Sequence, residues 1–515
     1  MMFSRSWAFW ILLLALVAAG LFWFVEIPEY RRQLDRLIPP QATWLIRQTA
    51  VADHLPDLLG HPALAGLLAA GGTRTQDVAR WRGDRGLTEL LRRVAPEESV
   101  LAYVPALGRG QEPAWLLASW LGGRSQRLRW LLKSGQVDGA VRILNRHGHL
   151  VWELPATGLP IGQSLTISVT EGMAVLCLSR DRAALVDVLD GYDGLLPQPP
   201  AWLSRWPDEP GAGLSAVYRP MGAWTPPQEA WRFQVTPGPA ERLAATVRGP
   251  WPRGWPVGSE SAGAPRPWSV AGTNAVLTLV ADRTLALHAA GQVWPDLPAL
   301  GGELVQHDAT GPLHLAVVDG PFAGRAMGLK LPTILAGLPL QSEPAARARL
   351  ALLLDQLNRK YQWGLVFNEL LVGDYRPNAI ESTRETAYAR FAVNEQMACL
   401  VTNQTLVWAS NTEGFTNLLL QVHAGGAGTA GTPLAAAAVD GWINLRDGGK
   451  SLRLLLTAWS LRVDERDAAR AQRVRGRIQQ AKGWVDALAP LQAARFRVER
   501  TGPEMQITVA AGASS

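Results

Sequence analysis

The chain has 515 residues, well beyond the roughly 250 to 300 at which a single hydrophobic core stops growing, so more than one domain is expected. Hydrophobic residues make up 48% and charged residues 18%, a balance that excludes a disordered, solvating polymer. The formal charge of +6 comes from scattered arginines without a dense basic run, which argues against nucleic acid as a partner.

The first feature is Trp7 to Val25, WAFWILLLALVAAGLFWFV, uncharged throughout with tryptophans towards both ends. Its length is close to the roughly 20 residues that cross a hydrocarbon core, and the indoles suit the two interfaces. The sequence therefore predicts a cytoplasmic tail at 1–6, a transmembrane signal-anchor at 7–25 with the lipid bilayer as partner, and a juxtamembrane segment at 26–40. A cleaved signal peptide is the alternative, with Val17-Ala18-Ala19 as the small-residue site, but it would leave Leu21 to Val25 as an apolar stub. Arg5 on one side and Arg31, Arg32 and Arg36 on the other leave the charge rule equivocal. The short tail and long body place the body on the periplasmic side of a bacterial inner membrane, single-pass. Tyr30 to Leu37 reads as a solvated helix.

Residues 41–249 read as a first α+β domain. Leu165 to Val169 alternates apolar and polar residues, Glu171-Gly172 turns the chain, and Met173 to Leu178 returns as a second strand. A helix then runs to Leu189, with Ser179 or Asp181 as its N-cap. Residues 250–267 form a Pro-, Gly- and Trp-rich linker. Residues 268–512 read as a second α+β domain with the same run of events: Ala398 to Val401, the turn Asn403-Gln404, Leu406 to Ala409, Ser410, and a helix from Phe415 to Val422. Arg232 to Val235 with Thr246-Val247 parallels Arg495 to Val498 with Thr508-Val509, and Leu101 to Val104 parallels Leu315 to Val318. The expected fold class is α+β: an N-terminal transmembrane helix followed by two tandem, internally duplicated domains with antiparallel sheets and packed helices. A long amphipathic helix is expected at 464–488, apolar along Val474, Ile478, Ala481, Val485 and Leu488. Ala424 to Ala438, rich in Gly and Ala, reads as a loop.

No string specifies a reaction. Gly448-Gly449-Lys450-Ser451 resembles the end of a phosphate-binding loop, but Asn444 stands where its first glycine belongs, and a strand-to-helix turn is the simpler reading. His147-Gly148-His149 looks like a hairpin tip with no third metal ligand at a suitable spacing. Asp187, Asp190 and Asp193 lack the spacing and late glutamate of a calcium loop. Neither HExxH nor GxSxG occurs. No cofactor, metal or catalytic residue is expected. Cys177 and Cys399 lie in apolar, strand-like runs that suit buried thiols, and a disulfide between them stays open.

The 22 tryptophans are the one compositional excess. Trp115, Trp120, Trp130 and Trp152 sit in apolar runs and read as core. Trp251, Trp255 and Trp268 lie in or beside the linker and, with Arg470, Arg473 and Arg477 on the polar face of the long helix, are the candidate partner-binding residues.

The signal-anchor, the segment Ile38-Pro39-Pro40-Gln41-Ala42 and units such as Met173 to Leu189 give a layout that resembles a broad class of bacterial signal-anchored proteins with tandem α+β repeat halves. The resemblance implies a location and a scaffold, and transfers no active-site residue. The function expected is a non-enzymatic, membrane-anchored extracytoplasmic binding or scaffold protein of the bacterial envelope, with an envelope protein as its possible partner. The alternatives are an envelope hydrolase acting on peptide or glycan, or a carrier of an apolar ligand.

Overall fold

The computed structural model describes residues 31–61, 65, 75–83, 85–106, 112–154, 164–179, 182–195, 213–220, 229–238, 242–252, 255, 275–293, 302, 304–326, 329–384, 397–425, 438–461 and 468–512. The chain divides into two units: Met1–Gly60, Gln76–Thr236 and Val247–Pro250 form the first, and His61–Thr75, Pro237–Thr246 and Trp251–Ser515 the second.

In the first half, β1 is Trp44–Thr49, β2 Glu98–Val104, β3 Ala114–Trp120, β4 Val141–Arg146, β5 His149–Leu154, β6 Ser164–Val169, β7 Met173–Ser179, β8 Leu214–Tyr218, β9 Trp231–Pro237 and β10 Leu243–Pro250. The helices are α1 Val51–Gly60, α2 Thr75–Gly83, α3 Arg85–Val94, α4 Arg124–Lys133 and α5 Ala183–Tyr192, and a 3-10 helix spans Arg31–Leu37. Within unit 1 the strands lie in the order β4-β5-β6-β7-β3-β2-β1-β8-β9, every pair antiparallel.

Alternation along these strands divides the apolar residues between two faces. On one face, Leu45, Val100, Ala102, Leu116, Val175, Cys177 and Val217 pack with Leu34 and Leu37 of the 3-10 helix and Leu185, Val188 and Leu189 of α5. On the other, Trp152, Ile167, Leu176 and the partly buried Leu117 pack beneath Leu128 and Leu132 of α4. Gly172 makes the β6–β7 turn at φ 74°, where a Cβ would stand 2.8 Å from the Trp120 ring.

In the second half, β11 is Ala275–Ala281, β12 Leu313–Val318, β13 Gly324–Ala326, β14 Leu329–Leu331, β15 Thr333–Pro339, β16 Leu365–Glu369, β17 Asn378–Ser382, β18 Ala398–Thr402, β19 Thr405–Ala409, β20 Val439–Asn444, β21 Ala493–Thr501 and β22 Glu504–Gly512. Its helices are α6 Arg283–Val293, α7 Glu343–Tyr361, α8 Thr412–Gly425, α9 Leu445–Leu461 and α10 Ala468–Leu488. Unit 2 runs β16-β17-β18-β19-β15-β12-β11-β20-β21-β22, again antiparallel throughout. Setting β1 against β11, β2 against β12 and β3 against β15 makes the first nine positions of the two orders coincide. β13 and β14 form a separate hairpin.

The expected fold class is overturned. In each unit the strands build a long, wholly antiparallel sheet, in place of the expected α+β domains, and the helices are excursions between its strands. Among the described residues no helix is long and apolar enough to cross a membrane; the run 7–25 lies outside them. The physical reason is that periodicity reports which face of a strand is apolar, whereas the extent of a sheet depends on long-range edge pairing.

Smaller readings also change. Gly448 to Ser451 is helical, because α9 follows β20 directly, and a Cβ on Gly448 would stand 2.3 Å from Val276 Cγ1. The helix after β19 starts at Thr412, where the Gly414 N–H donates to Asn411 Oδ1 at 3.0 Å, so Asn411 caps it while Ser410 bonds to the Ile334 backbone. Tyr30 to Leu37, expected to be solvated, has Leu34 and Leu37 fully buried from its described part. Cys177 and Cys399 are both buried, and neither belongs to a disulfide.

Candidate functional site

Five aromatic residues meet in register at one end of the unit 1 sheet. Trp44 lies opposite Tyr103 and opposite Tyr218, Tyr103 lies opposite Trp115, and Tyr218 lies opposite Trp231. Directly opposed residues share a face, so Trp115, Tyr103, Trp44, Tyr218 and Trp231 form a continuous row across β3, β2, β1, β8 and β9. Ring centroids are 4.9 Å apart for Tyr103 and Trp115 and 4.7 Å for Trp44 and Tyr218, and Phe233 stacks on Trp44 at 5.8 Å. Within the row Trp115 is 41% and Trp44 36% exposed, and Tyr103, Tyr218 and Trp231 are half-buried.

Two residues along each strand, Leu117 places this face on the side that α4 covers. That helix, RSQRLRWLLK, contains no acidic residue. Arg124, Arg127 and Lys133 are exposed, and Trp130 is 54% exposed. At the row itself, Thr43 N–H donates to the Tyr103 carbonyl at 2.9 Å and Arg219 N–H donates to the Thr43 carbonyl at 2.6 Å. Arg219 is fully buried; burial chiefly, and the neighbouring Arg232 charge secondarily, push its pKa down to about 9.

Sequence reasoning missed this row. Trp120 and Trp152 are buried, as apolar runs suggest, but Trp115 and Trp130 are not core. A hint was present in the position of Trp44, Tyr103, Trp115, Tyr218 and Trp231 at or next to the ends of apolar runs, yet only register reveals that they adjoin.

The residues singled out from sequence are dispersed. In unit 2, the Trp251 N–H donates to the Pro503 carbonyl at 2.9 Å, Trp251 and Trp255 meet edge to face at 6.1 Å, and Trp255 faces His288 of α6 at 6.1 Å. Arg500 stands 5.5 Å over the Trp251 ring, a cation–π geometry. Both indoles are half-buried. Trp268 lies outside the described residues. Arg470, Arg473 and Arg477 belong to α10, of which Arg477 is exposed; nothing brings this helix to the Trp251–Trp255 pair in the contacts described.

A polar cluster joins two strings that the sequence kept apart. The β4–β5 tip is a two-residue turn with His147 at φ 50° and Gly148 at φ 88°, and it meets the C-terminal end of α5. Arg146 holds Asp190 through two bonds of 2.8 Å, and His147 Nε2 stands 3.7 Å from the same carboxylate. His149 Nε2 lies 2.9 Å from Asp193 Oδ1, its ring edge-on to Tyr192 at 5.4 Å. The bonds from Arg146 lower the Asp190 pKa, and burial raises that of Tyr192. These contacts clasp hairpin to helix: His149 directs Nε2 to a carboxylate, and Asp190 is already neutralised by a guanidinium. Among the described residues no group of three or more His, Cys, Asp or Glu is placed to hold a metal ion.

No family model, curated protein or solved structure matches the chain. The functional reading therefore rests on these surfaces.

Proposed function

We propose that the protein is a non-enzymatic, bilayer-associated binding or scaffold protein of the bacterial envelope, facing the periplasm. The observation that carries this reading is the row of five aromatics on unit 1, exposed at Trp44 and Trp115: amphipathic rings in one line make a binding surface, with large contact area and polar tips. The apolar run 7–25 supports the bilayer as a partner. The Trp251–Trp255 pair and, separately, the exposed Arg477 of α10 are the residues offered to an envelope protein.

The test is extraction of native membranes at alkaline pH, followed by gentle solubilisation, affinity recovery of the full chain and mass spectrometry. The expected result is retention in the membrane pellet and co-recovery of a stoichiometric envelope protein, reduced in Trp255→Ala and Arg477→Glu variants. Release into the supernatant would end the bilayer reading. Turnover of peptide or glycan by the purified chain would end the non-enzymatic one.

A further inference from the structure

We infer that the strand-end rim bearing Trp115, Tyr103, Trp44, Tyr218 and Trp231 seats on an anionic lipid surface. The inference rests on the bilayer reading and names the part of the folded body that meets lipid.

Three observations converge. The first is tether length. The 3-10 helix Arg31–Leu37 is pinned to the unit 1 sheet by Leu34 and Leu37, so Val25, the end of the apolar run, is six residues from a fixed point. Six residues span at most about 20 Å even when fully extended, so unit 1 is confined to the immediate neighbourhood of any bilayer that holds the run. The chain then joins the sheet at the aromatic row, where Thr43 bonds to both Tyr103 and Arg219.

The second is the chemistry of the rim. Trp and Tyr partition to the boundary between headgroups and hydrocarbon, where the ring is apolar and the N–H or O–H stays wet. Five of them at one level across five strands match a planar boundary. A pocket for a small solute would converge them instead.

The third is charge. α4 lies over the same face through Leu128 and Leu132 and exposes Arg127, Lys133 and Trp130, with no carboxylate in the helix. Anionic headgroups are the complement.

The test uses the full chain reconstituted into phosphatidylcholine vesicles with and without phosphatidylglycerol. A Pro113→Cys variant takes an environment-sensitive fluorophore at an exposed position two residues before Trp115, while the native thiols are buried. The expected result is flotation with the vesicles, a blue-shifted label quenched by shallow nitroxide lipids, and stronger quenching with phosphatidylglycerol. Arg127→Glu with Lys133→Glu, both exposed, should weaken the phosphatidylglycerol-dependent quenching roughly tenfold or more, and Trp44→Ser with Trp115→Ser should remove the blue shift. Flotation with a label that stays aqueous overturns the inference and leaves the bilayer reading standing. Failure to float overturns the bilayer reading itself. A label shielded without vesicles, at twice the monomer mass, also overturns the inference by assigning the rim to a second copy of the chain.

Discussion

At the residue scale, the ion pair beneath the N-terminal segment is the most consequential feature for stability. Arg47 Nη2 is 2.5 Å from Asp35 Oδ1 and Nε is 2.9 Å from Glu98 Oε1, with Arg47 and Asp35 both buried. The trio ties the 3-10 helix to β1 and β2, the attachment on which the short tether depends. Removing one partner strands a buried charge, so Arg47→Met is expected to cost about 3–5 kcal/mol in urea unfolding. Burial, followed in effect by the opposing Arg47 charge and the reinforcing Glu98 charge, raises the Asp35 pKa above 3.8. A carboxyl that holds its proton more tightly folded than unfolded favours the native state on acidification, and that contribution is lost as pH rises through the folded pKa. Asp35→Asn should therefore reduce the stability gained, or steepen the stability lost, when urea midpoints are followed from neutral pH towards 3.8. An unchanged pH profile would show that Asp35 titrates as it does in the unfolded chain.

At the scale of elements, hairpins were the legible part. Leu165 to Leu178 and Ala398 to Ala409 carry alternation and turn residues within one short window, and Asn403 and Gln404 adopt φ 47° and 53°, the left-handed pair that a two-residue turn requires. Helix starts were less legible, since Asn411 replaces Ser410 as the cap and Gly448 to Ser451 continues a helix. The long basic helix illustrates how charge misleads. α10 packs on α9 and has Ala471, Ile478 and Ala487 buried, while the Arg453–Asp486 pair between the two helices, at 3.0 Å, is about half exposed. Ile478→Ala is expected to cost about 2–5 kcal/mol and Asp486→Asn less than about 1 kcal/mol, measured by denaturant unfolding. Equal losses would mean that charge, not packing, holds the helical hairpin.

At the scale of the molecule, the binding surface was illegible because it exists only in register: Trp44 and Tyr218 are distant in sequence and adjacent on the sheet. The local pattern showed apolar runs, which fit an exposed row and a core equally well, and nothing within one strand separates Trp115 from Trp120. The same limitation applies to the cysteines, whose apolar settings alone could not exclude a disulfide. They now serve as one reporter per unit. Cys177 is buried against the α5 side of unit 1, and Cys399 is buried in the unit 2 cluster that includes Ala346 of α7. Burial pushes the Cys399 thiol up to about 12, against a smaller lowering by Arg347, so both access and thiolate formation oppose reaction. Intact mass without reductant should show two free thiols, and alkylation near pH 8 should proceed at neither until urea opens the cores. Each modified site then marks the opening of its own unit. Rapid native labelling at Cys399 would mean that the α7 face of β18 admits solvent, and the packing assigned to that unit would have to be redrawn.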